Sequence, residues 1–548
     1  MNWKILHKGL AKDDQVLKIL LENRGFKTKK QIDKFLNPAK PNQLTVSDFG
    51  LKTAEIKKAI ARIKKAIEKE EKIVVYGDYD ADGVCGAAIL WEALFKVKAL
   101  ALPFIPSRSQ GYGLSEDRLA EFAGQDVKLI ITVDNGIVAA SEVKSAKKLG
   151  IDVIITDHHL PDLRRWPKEA LAVVHTTKTA GCAVAWFLSQ QILKSFKIKN
   201  LSFGLDLIAI GLITDMVPLL GVSRSLVKYG IEVLRKTKRL GLLSLFDFAN
   251  LNKQTIGVYE IGYLIGPRLN ASGRIEDPME SLRLVCTLDE SRAINLAQRI
   301  DQSNRERQEL TEKLTLHARE AWLKAEKGEQ LIFIAHESYQ EGIVGLIAGR
   351  LTEEFYLPAI IVCQGQEFSR GSARSIEEFN IVQAIRKCSD LLVSHGGHPK
   401  AAGLSIANQN LESFKNKILK IAKQTLAKKD LKPTLRVDME IDPSLISFKL
   451  LEKIKKMEPF GQGNPQPIFT SSGLKIKEAQ LLGNDSQHLK FKVDLPNKQS
   501  LEAIGFRMGG FYSKLSIDKP VKAAYNLSIN EWNGQSKLQL KLKDIKIK

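Results

Sequence analysis

Three short apolar runs in the first third of the chain each stop at residues able to bind a cation. Ile73 to Tyr76 leads into Gly77-Asp78-Tyr79-Asp80-Ala81-Asp82-Gly83, Leu129 to Val133 into Asp134-Asn135-Gly136, and Val153 to Thr156 into Asp157-His158-His159. A fourth acid, Asp215, follows the apolar stretch 207–214. Carboxylates with one or two imidazoles, and no thiolate, suit hard to borderline cations such as Mn2+ or Mg2+. The expected ligands are Asp78, Asp80, Asp82, Asp134, His158 and Asp215. These are too many for one site and suit two ions about 4 Å apart, with Asp134 as the bridge. Such a pair lowers the pKa of a bound water and neutralises phosphoryl oxygens, so the expected chemistry is phosphodiester hydrolysis. The second histidine, His159, is available to hydrogen-bond the phosphate.

Rival readings of the same residues are weaker. Asp78-x-Asp80-x-Asp82-Gly83 has the start of a calcium-binding EF-hand loop, but the twelfth position, which needs a bidentate Glu, is Ile89. Acids after strands also cap helices, and one of these is expected to do so. Capping does not account for three acids within five residues together with a His pair. No Gly-x-x-x-x-Gly-Lys-Ser/Thr loop is present, so a nucleotide-driven motor is unsupported.

The elements that must position these groups are legible as an alternation of short β-branched runs and helical patterns. Strands near 73–76, 129–133 and 153–156, separated by helices near 84–96 and 139–149, imply parallel strands in an α/β sheet. Ligand sites in such sheets lie at the carboxyl ends of the strands. A helical lead-in is expected over 1–50, followed by a catalytic α/β domain over 51–235. A helical connector with one long charged helix from Ser291 covers 236–325. A second α/β domain spans 326–430 and a β domain 431–548. The last residues, 537–548, alternate Leu or Ile with Lys or Gln and change phase at Asp544. That is how a half-buried strand with a basic outer face and a bulge reads.

Bulk properties narrow the class further. A chain of 548 residues with 44% hydrophobic and 26% charged residues is an ordinary globular protein of several domains. Its five cysteines contain no Cys-x-x-Cys pair, which excludes a zinc ribbon and argues against a disulfide framework. Lys8, Lys12, Asp13 and Asp14 come too early for a signal peptide's apolar region, and Asp215 interrupts the most apolar segment, so a cytoplasmic location is expected. The net charge of +21 favours a polyanionic partner such as nucleic acid.

Taken in order, the four acidic and imidazole segments resemble the motifs of the DHH phosphoesterase superfamily. Further segments extend the likeness: 266–274 (Gly-Pro-Arg-Leu-Asn-Ala-Ser-Gly-Arg), 369–375 (Ser-Arg-Gly-Ser-Ala-Arg-Ser), 395–403 (His-Gly-Gly-His-Pro-Lys-Ala-Ala-Gly) and 459–465 (Pro-Phe-Gly-Gln-Gly-Asn-Pro). Within the superfamily this set is similar to the single-stranded-DNA-specific exonucleases, over roughly residues 50–548. The resemblance implies 5′→3′ degradation of single-stranded DNA with Mn2+ or Mg2+, in recombination and repair. It implies a DHH domain, a long connecting helix, a DHH-associated domain with a Gly-Gly-His motif and a C-terminal OB-fold. Single-strand-binding protein and a RecQ-type helicase are the implied partners of a monomeric enzyme.

The resemblance also assigns residues. Arg108, Arg274, Ser372 and Arg374 would hold the 5′-terminal phosphate, a grouping that charge-assisted hydrogen bonding also favours. Arg268, Asn270, Gly396 and Gly397 would contact substrate, and Tyr112 would stack on a base. Asp157, His158, His159 and Asp134 form the catalytic set, joined by His398 near the scissile phosphate; the other reading of His398 is a satisfied core histidine. Three positions depart from the family pattern: Cys85 stands where Thr or Ser is usual, His175 where Asn is common, and Gln340 where many relatives have His. Two other functions fit part of the pattern. One is a phosphodiesterase acting on very short RNA or cyclic dinucleotides, against which residues 435–548 and the charge argue. The other is an idle single-strand binder, against which the intact acidic motifs argue.

Overall fold

The computed structural model describes all residues except 112, 199–201, 276, 326–327, 497–498, 533–534 and 548. By internal contacts the chain divides into two units. One comprises residues 1–266, 282–290 and 434–548; the other comprises 267–281 and 291–433.

The first unit contains a five-stranded, all-parallel sheet in the order Ala101–Phe104, Lys72–Tyr76, Val127–Val133, Asp152–Asp157, Ala172–His175. Its three inner strands are the apolar runs singled out in the sequence, and they are buried along nearly their whole length. Both faces must therefore be covered, as parallel sheets require. Val74, Tyr76, Ile130 and Ile155 pack on one side with Leu119, Phe122 and Val143. On the other side lie the helices Ala81–Lys96, Gly181–Ser195 and Leu205–Thr214. They carry long apolar stretches with almost no amphipathic alternation, and their buried residues surround nearly the whole helix.

The same unit holds the C-terminal β domain. Strands Phe469–Leu482, His488–Asp494, Ser500–Gly505, Gln535–Ile547 and Pro520–Trp532 pair in that order, and the last returns to pair with the first, closing a barrel. The phase change at Asp544 is a bulge. Ala524 pairs with Asp544 and Tyr525 with Leu542, leaving Lys543 as the extra residue. The expected helical lead-in over 1–50 is corrected at its start. Asn2–Leu10 is a strand, paired in parallel with Thr434–Glu440 at the edge of the C-terminal sheet. Its partner lies more than four hundred residues away, so nothing local in the sequence marks it. Helices do follow, at Val16–Asn23, Lys29–Leu36 and Val46–Phe49.

The second unit carries the 35-residue helix Glu290–Lys324 and a mixed five-stranded sheet, in the order Ser394–His398, Ala401–Ala407, Phe368–Arg374, Ala359–Cys363, Ile332–His336. Only the last two strands of that order are parallel to each other. Helix Glu341–Phe355 covers one face, with Ile343, Ile347 and Leu351 buried against Ile332 and Ile361.

Candidate active site

The parallel sheet delivers its acids to one edge. Asp78 and Asp80 follow Lys72–Tyr76, Asp134 follows Val127–Val133, and Asp157 ends Asp152–Asp157. Asp215 reaches the same place from the C-cap of helix Leu205–Thr214. Three sets of ligand atoms converge there: Asp78, Asp80 and Asp134; Asp82, His158 and Asp215; and Asp134, His158 and His159, the atoms of each set lying within 4.8 Å of one another. His158 Nε2 stands 3.0 Å from Asp134 Oδ1 and 3.6 Å from Asp215 Oδ2. Asp134 and His158 each belong to two of these sets, so the sets overlap.

The donors fit a pair of divalent cations. Asp78 Oδ1 and Asp215 Oδ2 are buried without a hydrogen-bond partner among the described residues. A buried carboxylate oxygen left in that state is costly unless a cation completes it. The electrostatics say the same. Burial, and then the neighbouring Asp82, Asp80 and Asp78, push the Asp134 carboxyl well above the usual carboxylate range. Burial and Asp80 do so for Asp78, and burial and Asp82 raise Asp80. Burial with Asp82 and Asp80 lifts Asp215 to about 9. Burial lowers His158, which favours the neutral imidazole that binds a metal.

Local backbone features hold each ligand in place. Asp80 caps helix Ala81–Lys96, its Oδ1 accepting from the Asp82 and Gly83 N–H groups. The expected capping role therefore falls on a residue that also offers a ligand oxygen. Asp82 accepts from the Gly181 and Cys182 N–H groups at the start of helix Gly181–Ser195, at 2.7 and 3.1 Å. Asp134 has φ +65°, a conformation unusual for a residue with a side chain. Held between the Val133 strand and Gly136 (φ +106°), it turns its carboxylate into the cluster.

Asp157 takes no part in the three ligand sets. Its Oδ1 accepts from the His158 and His159 backbone N–H groups and lies 2.8 Å from His159 Nδ1, while Oδ2 accepts from the Ile137 N–H. Burial works to raise this carboxyl, but the hydrogen bond and charge of His159 outweigh it and hold it low. Conversely, the Asp157 hydrogen bond raises His159 against the effect of burial. Asp157 orients the His pair, with His159 half-exposed at the mouth. His175, on the adjoining strand, has Nε2 2.7 Å from the His159 carbonyl oxygen. Cys85 is fully buried in helix Ala81–Lys96, where burial and then the Asp82 carboxylate push its thiol pKa well up.

Sequence reasoning missed the glycines. A side chain on Gly83 would stand 2.5 Å from the Asp78 carbonyl oxygen. One on Gly181 would stand 2.6 Å from Asp134 Oδ1, and one on Gly211 2.9 Å from Asp82 Oδ1. Helix backbones thus approach Asp78, Asp134 and Asp82 more closely than any Cβ permits. For Gly83 and Gly181 the sequence sign is a glycine in the first turn of an apolar helix, while Gly211 sits in the last turn of its helix.

The expected phosphate contacts separate by unit. In the first, the Arg108 guanidinium lies over the Tyr79 ring at 4.4 Å, beside the Asp78–Asp82 loop. Tyr112 lies outside the described residues. In the second, Arg374 donates to Ser372 Oγ at 3.1 Å, and both face Gly345 in helix Glu341–Phe355. Arg274 donates to the Gly342 carbonyl oxygen at 2.7 Å, which brings it to the N-terminus of that helix, where Gln340 is the cap. Burial lowers the Arg374 pKa. Arg268 is instead ion-paired with buried Asp301 at 2.9 Å, and Asn270 follows it in helix Gly266–Ile275. Gly396, Gly397 and His398 lie on the edge strand Ser394–His398, where His398 is exposed and so is not a core histidine.

Comparisons with known proteins account for this arrangement. Family models match residues 72–212 (DHH family, N-terminal domain), 328–428 (DHHA1 domain) and 437–544 (RecJ OB domain). The single-stranded-DNA-specific exonuclease RecJ of Haemophilus influenzae is 31% identical over 558 residues, covering 95% of this chain and 94% of that protein. This chain belongs to the RecJ family. The Bacillus subtilis RecJ is 35% identical, covering 96% of this chain and 67% of that longer protein. The crystal structure of RecJ from Thermus thermophilus in complex with Mn2+ is similar over all of this chain and 80% of its own, at 28% identity and a TM-score of 0.83. A complex of the same protein with Mg2+ gives a TM-score of 0.77 at 27% identity. The α/β class, with a DHH domain, a DHH-associated domain and a C-terminal OB domain, is therefore that of RecJ, and a divalent cation is the cofactor these ligands fit.

Proposed function

We propose that this RecJ-family chain is a 5′→3′ exonuclease that degrades single-stranded DNA to mononucleotides, in recombination and repair. The observation that carries the proposal is the convergence of Asp78, Asp80, Asp82, Asp134, His158 and Asp215 on one sheet edge, with buried donor atoms left for cations. The names of the relatives and the OB domain support single-stranded DNA as substrate.

When bound, two Mn2+ or Mg2+ ions supply an activated water and neutralise charge on the phosphoryl oxygens. The protein's own residues do the rest. Asp134 would serve both positions, with Asp78 and Asp80 holding one ion and Asp82, His158 and Asp215 the other. Asp157 fixes the His pair, and His159, whose pKa that carboxylate raises, donates to the phosphate as negative charge develops. Arg274, Ser372 and Arg374, with Arg108, hold the 5′-terminal phosphate and so set polarity. His398, on its exposed edge strand, assists at the scissile phosphate together with Gly396 and Gly397. Arg268, tied to Asp301, supports the segment carrying Arg274, and Asn270 and Tyr112 add substrate contacts. Single-strand-binding protein and a RecQ-type helicase act with a monomeric, cytoplasmic enzyme. Among the described residues, no helix is long and apolar enough to cross a membrane.

The test uses end-labelled single- and double-stranded oligonucleotides with Mn2+, with and without a 5′ phosphate, for the wild type and Asp134→Ala. Single-strand-selective release from the 5′ end, abolished in the variant, is the expected result. Degradation from 3′ ends, equal activity on duplex or full activity in Asp134→Ala overturns the proposal.

A further inference from the structure

Asp215 is followed by an exposed apolar surface that the metal chemistry does not use. Tyr259 is 61% exposed and Tyr263 67%. Large apolar side chains this open, grouped together, mark a binding surface more often than chance exposure does. The two tyrosine rings stack on each other, with centroids 5.0 Å apart and planes 29° apart.

The backbone explains why they stand there. Val258–Glu260 is α-helical and Ile261–Ile265 continues it as a π-helix, a rare form frequent at functional sites. Ile261 and Ile265 are buried, and Gly262 and Gly266 turn toward helix Leu205–Thr214. A side chain on Gly262 would stand 3.6 Å from Ile213 Cγ2, and one on Gly266 would collide with Thr214. That helix ends at Asp215. With its small residues pressed against the last turn before a metal ligand, the segment presents Tyr259 and Tyr263 to solvent immediately beside the catalytic edge.

The surface continues into a cavity of about 820 Å³ lined by Tyr259, Lys228, Arg235, Lys455, Lys456 and Phe460, among others. Three acids, Glu232, Glu260 and Glu458, share its wall. Glu260 is engaged in capping its own helix by accepting from the Gly257 N–H, and Lys455 pairs with Glu452. Burial raises the Glu458 pKa, against the opposing charges of Lys455 and Arg235. The wall thus carries four cations against three acids. Stacked, exposed aromatic rings beside a cationic groove form the arrangement that holds unpaired bases without regard to sequence.

We propose that Tyr259 and Tyr263 are a base-stacking platform for the unpaired strand just outside the metal centre, with Lys228, Arg235, Lys455 and Lys456 flanking its phosphates. The proposal rests on the single-strand reading above and extends it to a second contact region, used only by strands long enough to reach past the catalytic edge. Each base that stacks on a tyrosine contributes affinity, whereas a strand ending at the metal centre never meets these rings.

The test compares Tyr259→Ala, Tyr263→Ala and the double variant with Tyr259→Phe/Tyr263→Phe, on 5′-phosphorylated oligothymidylates from a tetranucleotide to a long strand with Mn2+. The alanine variants are expected to raise KM on the long strand by roughly tenfold per ring. The effect on the tetranucleotide should be at least several-fold smaller, and the phenylalanine variant should behave as wild type. An equal effect at all lengths, or no change in KM at any length, overturns the platform; the latter assigns the patch to a protein partner. Failure of the wild-type protein to degrade any single strand instead overturns the nuclease reading, so the two failures are separable.

Discussion

Gly181 and Asp134 are in backbone-to-side-chain contact: a methyl group on Gly181 would fall 2.6 Å from both Cβ and Oδ1 of Asp134. The Gly181 N–H simultaneously donates to Asp82 at 2.7 Å. One glycine thus sets the spacing between two ligand carboxylates.

Gly181→Ala must therefore push the start of its helix away from Asp134 and loosen the hydrogen bond to Asp82. Supporting groups of this kind typically change metal affinity by about 10–100-fold. Mn2+ titration calorimetry should show weakened binding in that range, with nuclease activity recovering in part at high Mn2+. Wild-type affinity in Gly181→Ala would show that the helix start yields freely.

Without metal, the acidic cluster should make stability fall as pH rises. Asp215 has a folded-state pKa of about 9, above its unfolded value. The folded state then binds the extra proton, so its stabilising effect is complete below the unfolded pKa and is lost as pH climbs toward 9. In chelator, melting temperature should decrease between about pH 5 and 9. Asp215→Asn should be more stable than wild type at the upper end, because it removes one charge from the cluster. Saturating Mn2+, at about 100 times its Kd, should add about 2.7 kcal/mol to the wild type. Thermal melts at several pH values, with chelator or with Mn2+, check all three points.

Arg224 joins the catalytic helices to the C-terminal domain. It is 1% exposed, and its guanidinium donates to the carbonyl oxygens of Phe35, Pro459 and Glu458 at 2.7, 3.3 and 2.8 Å. The Phe35 ring lies 3.8 Å from its centre, and burial lowers its pKa to about 10. Arg224→Ala leaves three buried carbonyls without this donor and opens a cavity, at a cost of about 3–5 kcal/mol. Arg224→Lys should recover only part of this, because a single ammonium cannot match the planar fork. Urea unfolding of the three proteins measures the difference.

Arg374→Met tests the phosphate pocket. Arg374 and Ser372 are neighbours on one strand face, bonded at 3.1 Å, with Gly345 of the next helix against both. Losing a charge-assisted pair should lower kcat/KM on 5′-phosphorylated strands by about 10–100-fold. The effect on 5′-hydroxyl strands should be much smaller. Equal losses on both substrates would remove Arg374 from end recognition.

The sheet strands that carry the ligands were legible because each is a continuous apolar, β-branched run ending in an acid, a signal contained within five or six residues. The edge strand Ala101–Phe104 was not, since it is four residues long, half-exposed and contains Pro103. Asn2–Leu10 escaped because its pairing depends on residues 434–440. Asp157 was placed in the catalytic set and outside the expected ligands, but its orienting contacts were not legible, because they lie in which amides it faces. The positive φ of Asp134 and the closeness of Gly83, Gly181 and Gly211 are properties of packed backbones, visible only once helices and sheet are assembled.

The first strand of the chain has a further consequence during synthesis. Trp3 donates to Asp544 at 2.7 Å, and Asn2–Leu10 pairs with Thr434–Glu440. At ribosomal elongation rates of about 5–20 residues per second, the partner emerges roughly 20–90 seconds after the strand itself. Throughout that interval a nascent β-edge is exposed to the crowded exit vestibule and to neighbouring polysomes. Lys4 and Lys8, still exposed in the finished molecule, place charges along that edge of the kind that discourage premature pairing with a stranger.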